Sequence, residues 1–138
     1  MTRFSVKAIA VGALVMIALD LLTGVVSYMV FGDDALQAGA TPQDIRAMAE
    51  LLQQNDAYLV TALVFGIATT VLGGYVTARL ARQVPLLNAC ALGIVGVLLG
   101  LSLSGPADSP VWFNAIGYIA IVPAAIFGGY LGRRARVG

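Results

Sequence analysis

The one residue placed to do chemistry is Asp20, an acid set inside the long apolar run Ala8 to Phe31. Carboxylates at membrane depth serve proton relays, cation sites and contacts with partner subunits, and are functional suspects by default. Its chemical company is sparse. The chain has no histidine, and Cys90 is its single cysteine. Disulfides, thiol relays and His- or Cys-ligated metal or haem within this chain are thereby removed. Nothing in the sequence forms a Ser–His or Cys–His pair, a phosphate-binding glycine loop or a second carboxylate within an apolar run. The expectation is a protein that is not an enzyme and that uses no cofactor and no metal. Cys90, inside an apolar helix, reads as a small hydrophobe.

The elements that must position Asp20 are membrane helices. Of the 138 residues, 59% are hydrophobic and 11% charged, against about 25% charged in a soluble domain. The mean hydropathy is +0.91. So little charge leaves lipid as the solvent. Crossing about 30 Å of hydrocarbon takes about 20 helical residues, and four stretches qualify, at about 7–31, 57–81, 85–104 and 110–132. The fold class is an all-α membrane protein, one integral domain over 1–138, with a short amphipathic helix at about 42–54. Arg3 and Lys7 before an apolar run, with Ala38-Gly39-Ala40 further on, raise the question of a signal peptide. The run is too long and the tripeptide too distant, so an uncleaved anchor is expected.

Charge sets the threading. Arg3, Lys7, Arg79, Arg82, Arg133, Arg134 and Arg136 fall on one side of the membrane and Arg46 alone on the other. Asp33, Asp34, Asp44, Glu50, Asp56 and Asp108 collect opposite. Basic residues stay cytoplasmic, which puts both termini inside and the protein in the inner membrane. Arg79, Arg82, Arg133 and Arg134 are expected to reach cytoplasmic headgroups. No basic stripe with interleaved aromatics supports nucleic-acid binding, so the expected partners are the bilayer and another membrane subunit or a second copy.

On the first span, Ala13, Asp20, Thr23, Gly24 and Ser27 form a small or polar stripe, with Leu14, Leu21, Val25 and Met29 away from it. At helical spacing the stripe looks into the bundle. The second span carries Ala62, Gly66, Thr70, Gly74 and Ala78; the third Ala89, Gly93, Gly96, Gly100 and Ser104; the fourth Ala120, Ala124, Gly128 and Gly132. In lipid, helices associate by close approach through such residues, so Gly66, Gly73, Gly74, Gly93, Gly96, Gly100, Gly128 and Gly129 are the expected packing positions. Between the first two spans, Thr41-Pro42-Gln43-Asp44 is a helix start, with a Thr cap, Pro at the first position and an early acid. Ile45, Met48, Ala49 and Leu52 follow on one face, which predicts a helix lying on the outer surface or over the bundle mouth. Pro123, mid-span, leaves the Ile119 carbonyl without its usual donor and predicts a kink.

The second span ends Gly73-Gly74-Tyr75-Val76-Thr77-Ala78-Arg79 and the fourth Gly128-Gly129-Tyr130-Leu131-Gly132-Arg133-Arg134. With the similar openings Ala8 to Gly12 and Ala89 to Gly93, the chain reads as a tandem repeat of a helical hairpin, both copies in the same direction. In that alignment Asp20 corresponds to Leu101, so the acid breaks the repeat.

Four short helices with an acid on the first resemble the small multidrug resistance exporters, but that family's acid is a Glu and the outer insertion here has no counterpart in it. Over most of its length the chain more closely resembles a kind of uncharacterised small four-helix bacterial inner-membrane protein. The shared features are the acid in helix 1, the Gly73-Gly74-Tyr75 end followed by Arg79, the Pro85 to Asn88 start and the Gly128-Gly129-Tyr130 tail with arginines. That resemblance implies a fold and no activity.

Placed in the outer half of the membrane with no cation near, Asp20 is expected to be a neutral, hydrogen-bonded acid, with Thr23, Ser27, Ser102 and Tyr118 as polar neighbours. The functional expectation is a non-catalytic accessory, assembly or scaffold subunit of a larger membrane complex. The alternative is a small oligomeric proton-coupled transporter or channel that uses Asp20.

Overall fold

The computed structural model describes residues 4–31, 41–103 and 109–137. Arg3, the Ala38–Ala40 tripeptide, Asp33, Asp34, Ser104 and Asp108 lie outside the described residues, as do the side chains of Ile45, Met48 and Arg136. Five helices follow in order: α1 Val6–Phe31, α2 Pro42–Leu52, α3 Asp56–Leu80, α4 Pro85–Leu103 and α5 Val111–Val137. All except α2 are long and apolar enough to cross a membrane. The protein is a multi-pass helical membrane bundle, with no strand among the described residues.

Each start has a local cause. Thr41 and Asp44 form a reciprocal capping box on α2: the Asp44 amide donates to Thr41 Oγ1, and the Thr41 amide donates to Asp44 Oδ2 at 2.8 Å. This satisfies two end groups that the helix cannot bond internally. Asn55 caps α3 by accepting from the Ala57 and Tyr58 amides. Pro85 opens α4 after Val84, a non-glycine residue at φ 43°, in the left-handed region that bulky side chains disfavour. The strained turn is held by Asn88, fully buried, whose Nδ2 donates to the Gln83 and Val84 carbonyls at 3.0 Å each. Its Oδ1 accepts the Ser5 amide at 2.8 Å, tying the chain just before α1 to the α3–α4 turn.

Two ends differ from the sequence reading. The outer-surface helix stops at Leu52, with Gln53 and Gln54 in a turn rather than in the helix. The last helix does not stop at 132 but continues to Val137. Cations suit the negative end of a helix dipole, so Arg133 and Arg134 favour continuation. Arg79 of α3 adds to this by donating to the Ala135 carbonyl at 2.8 Å. α5 runs unbroken through Pro123.

α3 is the central helix, packed on α1, α4 and most extensively α5, while α1 leans mainly on α3. The contacts are backbone to backbone at the Gly-Gly-Tyr segments. A Cβ added at Gly74 would stand 2.2 Å from the Ala125 carbonyl oxygen, and one at Gly128 1.9 Å from that of Val71. Only glycine admits such an approach, which in lipid replaces the missing hydrophobic drive. Gly12 is seated the same way against Gly73 and Thr77. Among the described residues Thr77 Oγ1 is buried there without a hydrogen-bond partner, in the space that a Cβ on Gly12 would take.

Candidate functional site

Asp20 is itself exposed, and it stands on the α1 face that also carries Ala8, Gly12 and Met16, which are buried. The four-residue spacing of these positions keeps them in register. The inward stripe of α1 is therefore Ala8–Gly12–Met16–Asp20–Thr23–Ser27, with Ser27 buried and Thr23 half-buried. Gly24, placed on that stripe from the sequence, instead points outward: a Cβ there would meet nothing within 4 Å. Ala13 is half-buried at its edge. Leu14, Leu21, Val25 and Met29 are exposed, as lipid-facing residues are.

The Asp20 side chain is bonded by Thr69 of α3, whose Oγ1 lies against Asp20 Oδ1. The same hydroxyl is 2.9 Å from the Gly66 carbonyl oxygen. A hydroxyl has one proton, so it donates either to the Gly66 carbonyl or to the carboxyl, and satisfies both contacts only when the acid supplies a proton of its own. Thr69 is itself 3% exposed, which leaves water little access to it.

Thr69 was not among the neighbours expected from the sequence. Thr23 and Ser27 are expected from the stripe on α1, and Ser102, Tyr118 and the segment Ala62 to Gly66 from depth. Ala62, Leu63 and Gly66 do share a cavity wall with Asp20, while the polar four are placed differently. Thr23 Oγ1 donates to the backbone carbonyl of Asp20, not to its carboxyl. Ser102 donates to Leu98, one turn back on its own helix, as serine in a helix often does. Tyr118 lays its ring over Gly100. Ser27 is buried nearly two turns further along α1. The signal available for Thr69 was the Thr69-Thr70 pair, a polar doublet in an otherwise apolar span.

Beside the Asp20–Thr69 contact lies a cavity of about 290 Å³. All four long helices line it: Met16 and Asp20 from α1, Gly66 and Thr70 from α3, Gly96 from α4 and Gly117 from α5 among others. No family model, curated protein or solved structure matches this chain. The cavity's chemistry must therefore be read from its own walls. They are apolar except for the Asp20 carboxyl and the Thr70 hydroxyl, and Thr70 spends its proton on the Gly66 carbonyl at 2.7 Å. Among the described residues, Asp20 is thus the one ionisable group on the cavity wall.

Glycine explains the space. Gly66, expected as a packing position, meets nothing within 4 Å of a Cβ; it lines the cavity instead. Gly93 packs on Val122, Gly96 on Ile121, Gly100 on the Tyr118 ring, and Gly129 on Ala89. The two glycine doublets serve different neighbours: Gly73 seats α1 and Gly74 seats α5, whereas Gly128 seats α3 and Gly129 seats α4. Among the arginines, Arg79 bonds Ala135 and lies over the Tyr75 ring, while Arg82, Arg133 and Arg134 are exposed. Among the described residues, no group of three His, Cys, Asp or Glu could hold a metal ion.

Proposed function

We propose that this chain is a non-catalytic inner-membrane protein, with both termini in the cytoplasm, that acts as a small oligomeric proton-coupled transporter with Asp20 as the coupling group. The observation that carries the reading is the position of Asp20 as, among the described residues, the one ionisable wall residue of an apolar cavity shared by four helices long and apolar enough to cross a membrane. At about 290 Å³ the cavity sits near the lower limit of small-ligand pockets, about 300 Å³. A small apolar cation fits its chemistry: apolar walls take the body, and the carboxylate takes the charge after releasing its proton. Thr69 supports exchange, because its hydroxyl can donate to the ionised acid or turn to the Gly66 carbonyl when the acid is protonated. The inside placement of the termini rests on the seven basic residues at that end. The tandem-hairpin origin rests on the matching Gly-Gly-Tyr ends; the two glycines of each doublet serve different neighbours in the two hairpins.

In proteoliposomes, the protein should move protons in response to a gradient of a lipophilic cation such as tetraphenylphosphonium. Asp20→Asn should abolish that flux while leaving expression and thermal midpoint near wild type. Flux that survives the substitution removes the coupling role.

A separate observation favours the accessory-subunit reading. In its most apolar window α1 is only 11% buried, and Gly24 opens onto free space amid exposed Leu21, Val25 and Val26. A partner helix could approach closely there. Gly24→Leu would then abolish copurification of a partner without touching cation-driven flux.

A further inference from the structure

The end of the bundle that carries both termini holds a second opening, unrelated to Asp20. It is a cleft of about 620 Å³ between the start of α1 and the end of α3 with the turn that follows. Lys7 and Arg82 stand on its rim, both exposed. Among the described residues no Asp or Glu lines it, and the sequence sends every acid of the chain except Asp20 toward the opposite end. The first turn of α1 borders the cleft through Ser5, Lys7 and Ala8, so the positive end of that helix dipole adds to the two cations. The wall is fixed in place, because the Ser5 amide is bonded to buried Asn88. Below the charged rim the lining turns apolar: Phe4, Val11 and Leu80, between 40% and 52% exposed, continue onto the lipid-facing surface.

We propose that this cleft binds one anionic glycerophospholipid, its phosphate between Lys7 and Arg82 and an acyl chain along Val11 and Leu80. The continuity of charge and apolar surface selects this occupant. A free phosphate would leave the apolar wall unused, and a zwitterionic lipid carries an ammonium that the two cations repel. An anionic lipid satisfies both halves. The site is distinct from the general attraction of basic membrane ends to anionic leaflets, since Arg133 and Arg134 lie at the same end but outside the cleft.

Native mass spectrometry of the full chain in detergent tests it, with equal amounts of phosphatidylglycerol and phosphatidylethanolamine supplied. The wild type should retain phosphatidylglycerol selectively, and Lys7→Gln with Arg82→Gln should lower that selectivity by roughly tenfold or more. Arg133→Gln with Arg134→Gln should leave it unchanged. Lys7→Arg with Arg82→Lys, which keeps both charges, should retain it, and thermal melts of each variant confirm folding. Three results would overturn the proposal. One is absence of selectivity in the wild type. Another is equal loss in both glutamine pairs, which means diffuse surface charge. The third is displacement of the bound lipid by soluble glycerophosphoglycerol at matched concentration, which means a headgroup site without a tail.

Discussion

The two halves of this bundle use glycine in opposite ways. At the end that carries the termini, Gly12, Gly73, Gly74, Gly128 and Gly132 bring backbones into contact, and Thr77, Ala78, Ala81, Asn88 and Ala89 are fully buried around them. In the other half, Gly24 and Gly66 face open space, and the nearest neighbours of Gly96 and Gly100 are side chains, those of Ile121 and Met16 and of Tyr118, rather than a backbone. α3 holds both behaviours within two turns, closed at Gly73 and Gly74 and open at Gly66. A missing side chain permits close approach but does not cause it; a partner backbone must arrive at the right height. Where one does, the bundle is locked, and where none does, the same residue makes a cavity.

Substitution with alanine should break this comparison cleanly. Gly128→Ala places a Cβ 1.9 Å from the Val71 carbonyl oxygen, a backbone atom that cannot turn aside. Overpacking of this kind costs about 1–3 kcal/mol and sometimes more, so a large drop in thermal midpoint in detergent is expected, or loss of the folded protein. Thr69→Val removes the hydroxyl that bonds Asp20, a loss of about 1 kcal/mol. That variant should melt slightly lower, and its cation-driven flux should shift in pH dependence rather than vanish. Gly66→Ala should be neutral or stabilising by about 0.5–1 kcal/mol, since alanine is the better helix former, and it should narrow the cavity. Equal destabilisation by Gly66→Ala and Gly128→Ala would mean that the open half is not open.

The smallest effect belongs to α2, outside the membrane spans. The Thr41 amide and hydroxyl donate to the Asp44 carboxylate, and these bonds hold its pKa below the ordinary 3.8. Because the folded value is the lower one, the cap's contribution is fully present above about pH 4 and is lost as pH falls through the depressed value. The protection factor of the Thr41 amide, its exchange rate corrected for the intrinsic pH dependence, should fall on acidification through that window. Asp44→Asn should remove the pH dependence.

Much of the architecture was legible because it depends on composition. Length and apolarity mark the four long helices, and local chemistry marks Thr41 and Pro85 as starts. What could not be read was rotation and height between helices. The depth of Asp20 was enough to choose Ser102 and Tyr118 as neighbours, yet a helix has three or four residues at any depth, and the one that faces α1 is Thr69. Gly66 and Gly74 stand eight residues apart on one face and read alike in sequence. Only the positions of α1 and α5 distinguish them. The stretch to about 132 reads as the length of a span, and the helix itself continues to Val137, because apolarity marks what can lie in lipid and not where helical hydrogen bonding ends.

The Ser5–Asn88 bond joins residues 83 apart, and this has a consequence for how the protein is made. Chains emerge at about 5–20 residues per second, so α1 waits several seconds after its own synthesis for the asparagine that anchors this end. Until α4 has been synthesised, that end of α1 lacks its fixed seat on the α3–α4 turn. α1, made before α3 and α4, is fixed at that end only after both.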